Sequence, residues 1–324
     1  MFCHTEEKAR HGAMRERALA AVEHYVDILP LDDDGAAAEI RRRGIDILVD
    51  LKGFTQGGRL GIFARRPAPV QVSYLGFPGS VAGVGIDYAI ADAVVAPASS
   101  DAVYEEKIVR LPRCYQSNDN RRPRPERPAA RAGLGLPEEG IVFAAFHQAP
   151  KIRADAFAAW MEILRRVEAS VLWLGPQEEA AAQNLRRAAQ ASGIAPERLV
   201  IAPKMPMADH LARLAAADIA LDCTPCNGHT TTSDALWAGV PVVTVRGTSF
   251  AGRVSESLLQ SVGLPELVAD DLDAFVRLTD ALARDGNRLS VLRHHLLAAR
   301  DRAPLFDTAG LTRDLEAALA AMLA

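Results

Sequence analysis

The densest run of chemically useful side chains extends from Asp222 to Asp234 and includes Asn227, Gly228, His229, Thr230, Thr231 and Thr232. It stands where an apolar strand, 219–221, gives way to a helical pattern over 231–238. Gly228 lets a backbone approach a ligand closely, and the first turn of a helix presents amide donors with no partner of their own. That combination suits a phosphate or diphosphate, with His229 adding a further donor. Asp234, about one turn into the helix, has the charge to accept hydrogen bonds from a ribose diol. A well-capped helix with Asp234 on its polar face is the plainer account of the same residues.

A second cluster, His147, Gln148 and Lys151, occupies another strand-to-helix junction. An ammonium there is a compact charge able to neutralise a leaving diphosphate, and Gln148 offers amide contacts. Composition gives Lys151 extra weight: the 37 basic residues are 32 arginines and five lysines, so a retained lysine marks a position where a guanidinium does not substitute. An exposed loop lysine is the alternative. A third segment, Tyr74–Ser80, places Gly76 and Pro78 in a tight loop after a buried strand, a pattern that ordinary turns share.

Other constellations are weaker. Cys223 and Cys226 have the spacing of a redox pair at a helix N-terminus, where a thiolate is favoured, but they sit late in a chain about three times the length of a thioredoxin-like domain. Cys3 and Cys114 do not complete a zinc set. No Gly-x-Gly-x-x-Gly, Walker loop or Gly-x-Ser-x-Gly elbow is present, and no metal site is expected. Asp32, Asp33 and Asp34 read as a helix cap.

The elements that must position these residues alternate. Strands are predicted at 45–51, 70–75, 87–91, 107–111, 141–146, 171–174, 199–201, 219–221 and 242–245. Helices are predicted at 6–23, from Asp32 to about Arg43, and at 153–167, 178–192, 208–217, 231–238 and 252–261. Such alternation gives parallel, doubly wound α/β sheets. Residues 116–131 hold three prolines without apolar periodicity and read as a solvated linker. The expected organisation is therefore a partial N-terminal Rossmann-like domain over 1–115, the linker, and a C-terminal Rossmann-like domain over 132–324, with a ligand cleft between them. A length of 324 residues suits this, and 49% hydrophobic with 24% charged residues is the balance of a globular chain. A net charge of −4 argues against a nucleic-acid binder. No apolar run reaches the roughly 20 residues of a membrane span. Four cysteines make no disulfide framework, so a cytoplasmic setting is the expectation.

The segments Asp46–Arg59, Arg66–Gln71, Leu75–Gly79, Ser170–Leu174 and Cys226–Thr231 resemble the C-terminal catalytic region of the protein O-GlcNAc transferases, including the SPINDLY-like members. The resemblance runs from about residue 15 to 320. It implies a GT-B fold and inverting, metal-independent transfer of N-acetylglucosamine from UDP-GlcNAc to serine or threonine hydroxyls of proteins, with no cofactor beyond the donor. Carried over by position, it implies Lys151 at the donor diphosphate, Gln148 at the nucleotide and His210 with Arg213 at the uridine side. It implies His229, Thr230 and Thr231 at the diphosphate, Asp234 at the ribose, and Gly76 and Pro78 beside the sugar. His24 matches a histidine near the acceptor, a candidate proton acceptor. The family's second pocket lysine is replaced by Met207, and its leading strands and helical repeats lie upstream of Met1, so the first domain is expected to be incomplete. A UDP-sugar-binding fragment of low activity, or a transferase using another donor such as GDP-fucose, are the alternatives.

Overall fold

The structure is a computed structural model that describes residues 2–3, 12–124 and 128–324. The chain divides into two compact units, one of residues 1–91, 98–110 and 316–324 and the other of residues 92–97 and 111–315. The expected helix at 6–23 falls partly outside the described residues.

In the first unit, β1 (Phe2–Cys3) pairs with β2 (Val26–Asp27), with α1 (Ala13–Ala20) between them. Helix α2 (Asp33–Arg42) begins because the Asp32 carboxylate accepts the Gly35 N–H at 2.7 Å. It buries Ala36, Ala37 and Ile40, at helical spacing, among Leu48, Ile62 and Phe63. Strand β3 (Ile47–Asp50), helix α3 (Leu60–Ala64) and strands β4 (Val70–Tyr74), β5 (Tyr88–Asp92) and β6 (Lys107–Leu111) follow, giving a four-stranded sheet in the order β3-β4-β5-β6.

The second unit holds a six-stranded sheet. Its elements are β7 (Ile141–Ala145), α4 (Ala154–Arg166), β8 (Ser170–Leu174), α5 (Glu179–Ala191), β9 (Leu199–Ile201), α6 (Met207–Leu214), β10 (Ile219–Leu221), α7 (Thr230–Trp237), β11 (Val242–Val245), α8 (Val254–Ser261), β12 (Val268–Ala269), α9 (Leu272–Ala283) and α10 (Gly286–Ala299). Helix α11 (Thr308–Met322) ends the chain. Strand order is β12-β11-β10-β7-β8-β9, and every pair is parallel. Both faces of the sheet are covered, so β7 and β10 read as unbroken apolar runs rather than alternating ones.

The chain proceeds outward from β7 to β9 and then crosses back to lay β10 against the other edge of β7, with Ile219 opposite Phe143 and Ala220 opposite Ala144. That reversal is a topological switch point, where the loops leaving two adjacent strands diverge and open a crevice at their C-terminal ends. The loops concerned begin at Phe146 and Asp222.

Among its described residues, the expected linker at 116–131 is exposed at Ser117, Asn120, Arg121, Pro123, Arg124, Pro128 and Ala130 but anchored at others. Gln116 and Asn118 are buried, Arg122 pairs with Asp234 at 2.6 Å, and Arg131 binds the Ala216 carbonyl and Asp218. The prolines deny this stretch regular structure, yet its polar side chains anchor it to the second unit. The elements after residue 261, and the short α3, are additions to the sequence reading.

Candidate functional site

Asp222 organises the site. Its Oδ1 accepts the N–H groups of Cys223 at 2.8 Å and Gly228 at 2.7 Å, and its Oδ2 accepts the Thr244 hydroxyl at 2.6 Å. One carboxylate thus folds a six-residue loop back on itself. Asn227, fully buried, donates to the Cys223 carbonyl and accepts from the Ser255 N–H, pinning the same loop. A Cβ at Gly228 would lie 2.5 Å from the hydroxyl oxygens of Thr231 and Thr232, so only glycine fits where the loop meets α7.

Lys151 closes the other side. It ends a short 3-10 turn, Ala149–Lys151, three residues ahead of α4 rather than directly at its first turn. Its Nζ donates to the Asn227 carbonyl at 2.9 Å, which holds the ammonium against the loop entering α7 and leaves two of its three donors uncommitted to that bond. The Lys151 charge is felt at both His229 and His147.

His229 is the N-cap residue of α7 but makes no side-chain cap bond, so the first amides of the helix keep the free donors intrinsic to a helix start. Burial first, and Lys151 second, hold the imidazole down to about 4. One ring nitrogen hydrogen-bonds the Ala251 backbone, while Nε2 is buried without a partner. Thr230 is exposed and Thr231 half-buried at the same helix start. His147, Asp222 and Thr231 line a small cavity with Phe146.

His210, on α6, lies 5.2 Å from the Phe146 ring. Arg213 donates to His210 Nδ1 at 3.2 Å, so the neutral ring carries its proton on Nε2. Burial, then the Arg213 charge, push this histidine down to about 4. Arg213 itself is buried over Phe146 and Trp173 and binds the Pro203 carbonyl, so it reaches the site through His210. Gln148 is exposed beside Lys151. Asp234 is buried and ion-paired with Arg122.

The structure thus brings Lys151, His229, Thr230, Thr231, Gln148, His210 and Asp234 to loops and helix starts of one unit. His24, Gly76 and Pro78 belong to the other. His24 is exposed between α1 and β2. Gly76 follows β4, where a Cβ would lie 2.0 Å from the Leu51 carbonyl oxygen. Sequence reading missed Arg122, and it did not see that Asn227 pins the loop and Asp222 organises it. A strand-end Asp six residues before Gly228 was the available signal; nothing local marked Arg122.

His147, Asp222 and Cys223 bring potential metal-ligating atoms within 4.8 Å of one another. The donor set does not suit a cation. Both Asp222 oxygens are filled by protein donors, and the Cys223 thiol donates to the Cys226 carbonyl at 2.9 Å. Burial, reinforced by the Asp222 charge, drives that thiol far above its ordinary range. The same shift opposes Cys223 as an attacking thiol, because exchange requires a thiolate.

Comparison with known proteins places the chain in a family. The family model described as Glycosyl transferase family 41 matches residues 1–127 and 118–315. The Arabidopsis thaliana probable UDP-N-acetylglucosamine--peptide N-acetylglucosaminyltransferase SEC is 36% identical over 322 residues, covering 98% of this chain and 33% of the relative. The Caenorhabditis elegans UDP-N-acetylglucosamine--peptide N-acetylglucosaminyltransferase is 27% identical, covering 99% and 38%. The chain spans about a third of the length of such curated relatives. A variant of the Thermobaculum terrenum O-GlcNAc transferase superposes with a TM-score of 0.89 at 34% identity, covering 99% of this chain and 61% of that one. Anabaena HepE in complex with UDP, at 13% identity and a TM-score of 0.66 over 96% and 90% of the two chains, shares the fold. The two Rossmann-like α/β units are those of a GT-B glycosyltransferase, and the chain belongs to glycosyl transferase family 41.

Proposed function

We propose that this chain carries the catalytic region of an inverting protein O-GlcNAc transferase, which moves N-acetylglucosamine from UDP-GlcNAc to serine or threonine hydroxyls of a protein acceptor. The observation that carries the reading is the Lys151 ammonium on the Asn227 carbonyl, which sets a fixed positive charge beside the free amides of α7 at the sheet's switch point. An anion with two phosphates fits that arrangement, and the names of the relatives supply the sugar and the acceptor.

In this reading the acceptor oxygen attacks the anomeric carbon as the bond from that carbon to the β-phosphate oxygen breaks, inverting the centre. UDP leaves with the electron pair. Lys151, His229 and the amides of Thr230 and Thr231 stabilise the charge as it develops, which is where pre-set donors accelerate a reaction most. They act where other transferases use a metal, and the occupied donor atoms of Asp222 and Cys223 fit a metal-independent mechanism. On this reading the His210 Nε2–H and Gln148 are assigned to the nucleotide and Asp234 to the ribose, and the family resemblance assigns Gly76 and Pro78 to the sugar. The acceptor proton goes to a base for which His24 is the candidate. A cytoplasmic setting fits the free cysteines Cys114, Cys223 and Cys226, and no helix among the described residues is long and apolar enough to cross a membrane.

The test pairs calorimetric titration with UDP and a transfer assay using labelled UDP-GlcNAc and an acceptor protein, with and without a chelator. Binding with transfer that survives the chelator is expected. Binding without transfer removes catalysis by this chain, and no binding removes the donor site.

A further inference from the structure

The stretch that reads as a linker sends one side chain, Arg122, against helix α7. Arg122 Nη1 donates to Asp234 Oδ1 at 2.6 Å, with both side chains about nine-tenths buried. The guanidinium lies over the Trp237 ring at 4.7 Å and 5.7 Å from the Phe306 ring centre, and its Nη2 reaches Asn118 Oδ1 at 3.4 Å. Trp237 is fully buried, donates to the Pro123 carbonyl at 2.8 Å and receives the Arg300 Nε–H on its own carbonyl at 2.6 Å. The arginine is therefore clamped from three sides. Only one oxygen of Asp234 is used by this pair.

We propose that Arg122 is a positioning residue for the nucleotide sugar: it fixes Asp234 with Oδ1 held and Oδ2 directed to the ribose hydroxyls, so the loop before β7 sets recognition of the diol. This rests on the donor-site reading above. A buried carboxylate aimed by a guanidinium accepts from a diol in one geometry, whereas an unaimed one must be ordered on binding. Arg122 also favours the charged form of this carboxylate. Burial pushes the Asp234 carboxyl up, and Arg122 is what opposes it. The elements packed on α7 carry His210 and Arg213 on α6, Glu256 on α8 and Arg293 on α10, while Asp119 flanks Arg122. None of these shifts Asp234; burial and Arg122 alone do.

The experiment measures the affinity of the full chain for UDP, 2′-deoxy-UDP and 3′-deoxy-UDP at several pH values, the ratio between ligands cancelling ionisation of the diphosphate itself. Wild type should prefer UDP by about tenfold or more over at least one deoxy analogue, the scale of a hydrogen bond to a charged acceptor. R122M should lose most of that preference, and what remains should shrink as pH falls, because Asp234 then holds its proton at higher pH. R122K should restore part of it, and D234N should match R122M. A thermal melt checks folding, and R122K together with D234N carries the test if R122M fails to fold. Undiminished preference in R122M, or no preference in wild type, overturns the assignment while the donor site stands. Failure of wild type to bind UDP at all removes the donor-site reading and this inference with it.

Discussion

Asp50, at the end of β3, and Asp222, just after β10, use one local device: a buried carboxylate at the C-terminal end of a parallel strand gathers backbone N–H groups of the loop that follows. Asp50 takes the amides of Lys52 at 3.0 Å and Gly53 at 2.7 Å, two and three residues on. Asp222 takes one neighbour and then Gly228, six residues on. The first bond set encloses only a turn, with Gly53 at φ +55° to close it. The second encloses a loop long enough to deliver Asn227 to Lys151 and Gly228 to the start of α7. The reach of the cap along the chain, not its chemistry, separates the tight turn after β3 from the long loop to which the proposed function assigns a ligand.

The comparison breaks most decisively at Lys151. Lys151→Ala should lower transfer by at least ~10²-fold, the scale of losing one charge-stabilising donor. Turnover equal to wild type would remove the lysine from the mechanism. The two aspartates should then differ in kind. Asp222→Asn leaves amides with a neutral acceptor and should weaken UDP binding by roughly tenfold to a hundredfold, from the loss of about 1.5–3 kcal/mol of charge-assisted bonding. Asp50→Asn should lower the melting midpoint and leave UDP affinity unchanged. Equal effects on UDP affinity would erase the distinction. Gly76→Ala sharpens it from the other side: its Cβ would press on the Leu51 backbone, so the first unit should lose about 1–3 kcal/mol, as overpacking does, with calorimetric UDP affinity unaltered.

What the sequence made legible follows the same division. Strands β10 and β11 fall on the predicted residues, and Lys151 and His229 stand out, because an apolar run in a parallel sheet ends where its loop begins and the chemistry lies in that loop. Arg122 was illegible because its partners, Asp234 and Phe306, are more than a hundred residues away and a proline-rich stretch shows no periodicity. Asp222 was visible as a residue but not as an organiser, since its hydrogen bonds to Gly228 and Thr244 require the sheet to exist first. Helix α3, five residues long, offers too little periodicity to register.

The smallest expected effect concerns a proton. With one His229 nitrogen engaged at the Ala251 backbone, the neutral ring presents Nε2 as an acceptor, which has nothing to donate to a phosphate. Burial and Lys151 hold this histidine at about 4, so at neutral pH the ring is unprotonated until an anion meets it. An anion at Nε2 favours the imidazolium and raises that value, so binding takes up a proton and UDP affinity increases as pH falls, by at most tenfold per pH unit. Stability runs the opposite way. A folded value near 4 against about 6.5 unfolded contributes stability that is complete above pH 6.5 and lost as pH falls towards 4. Titrations near pH 7 in two buffers of different ionisation heat should show uptake of up to about one proton per UDP, and His229→Gln should abolish that uptake while flattening the acid loss of the melting midpoint. If wild type and His229→Gln exchange the same number of protons on binding UDP, Nε2 does not meet the diphosphate, and the α7 amides with Lys151 bind it alone.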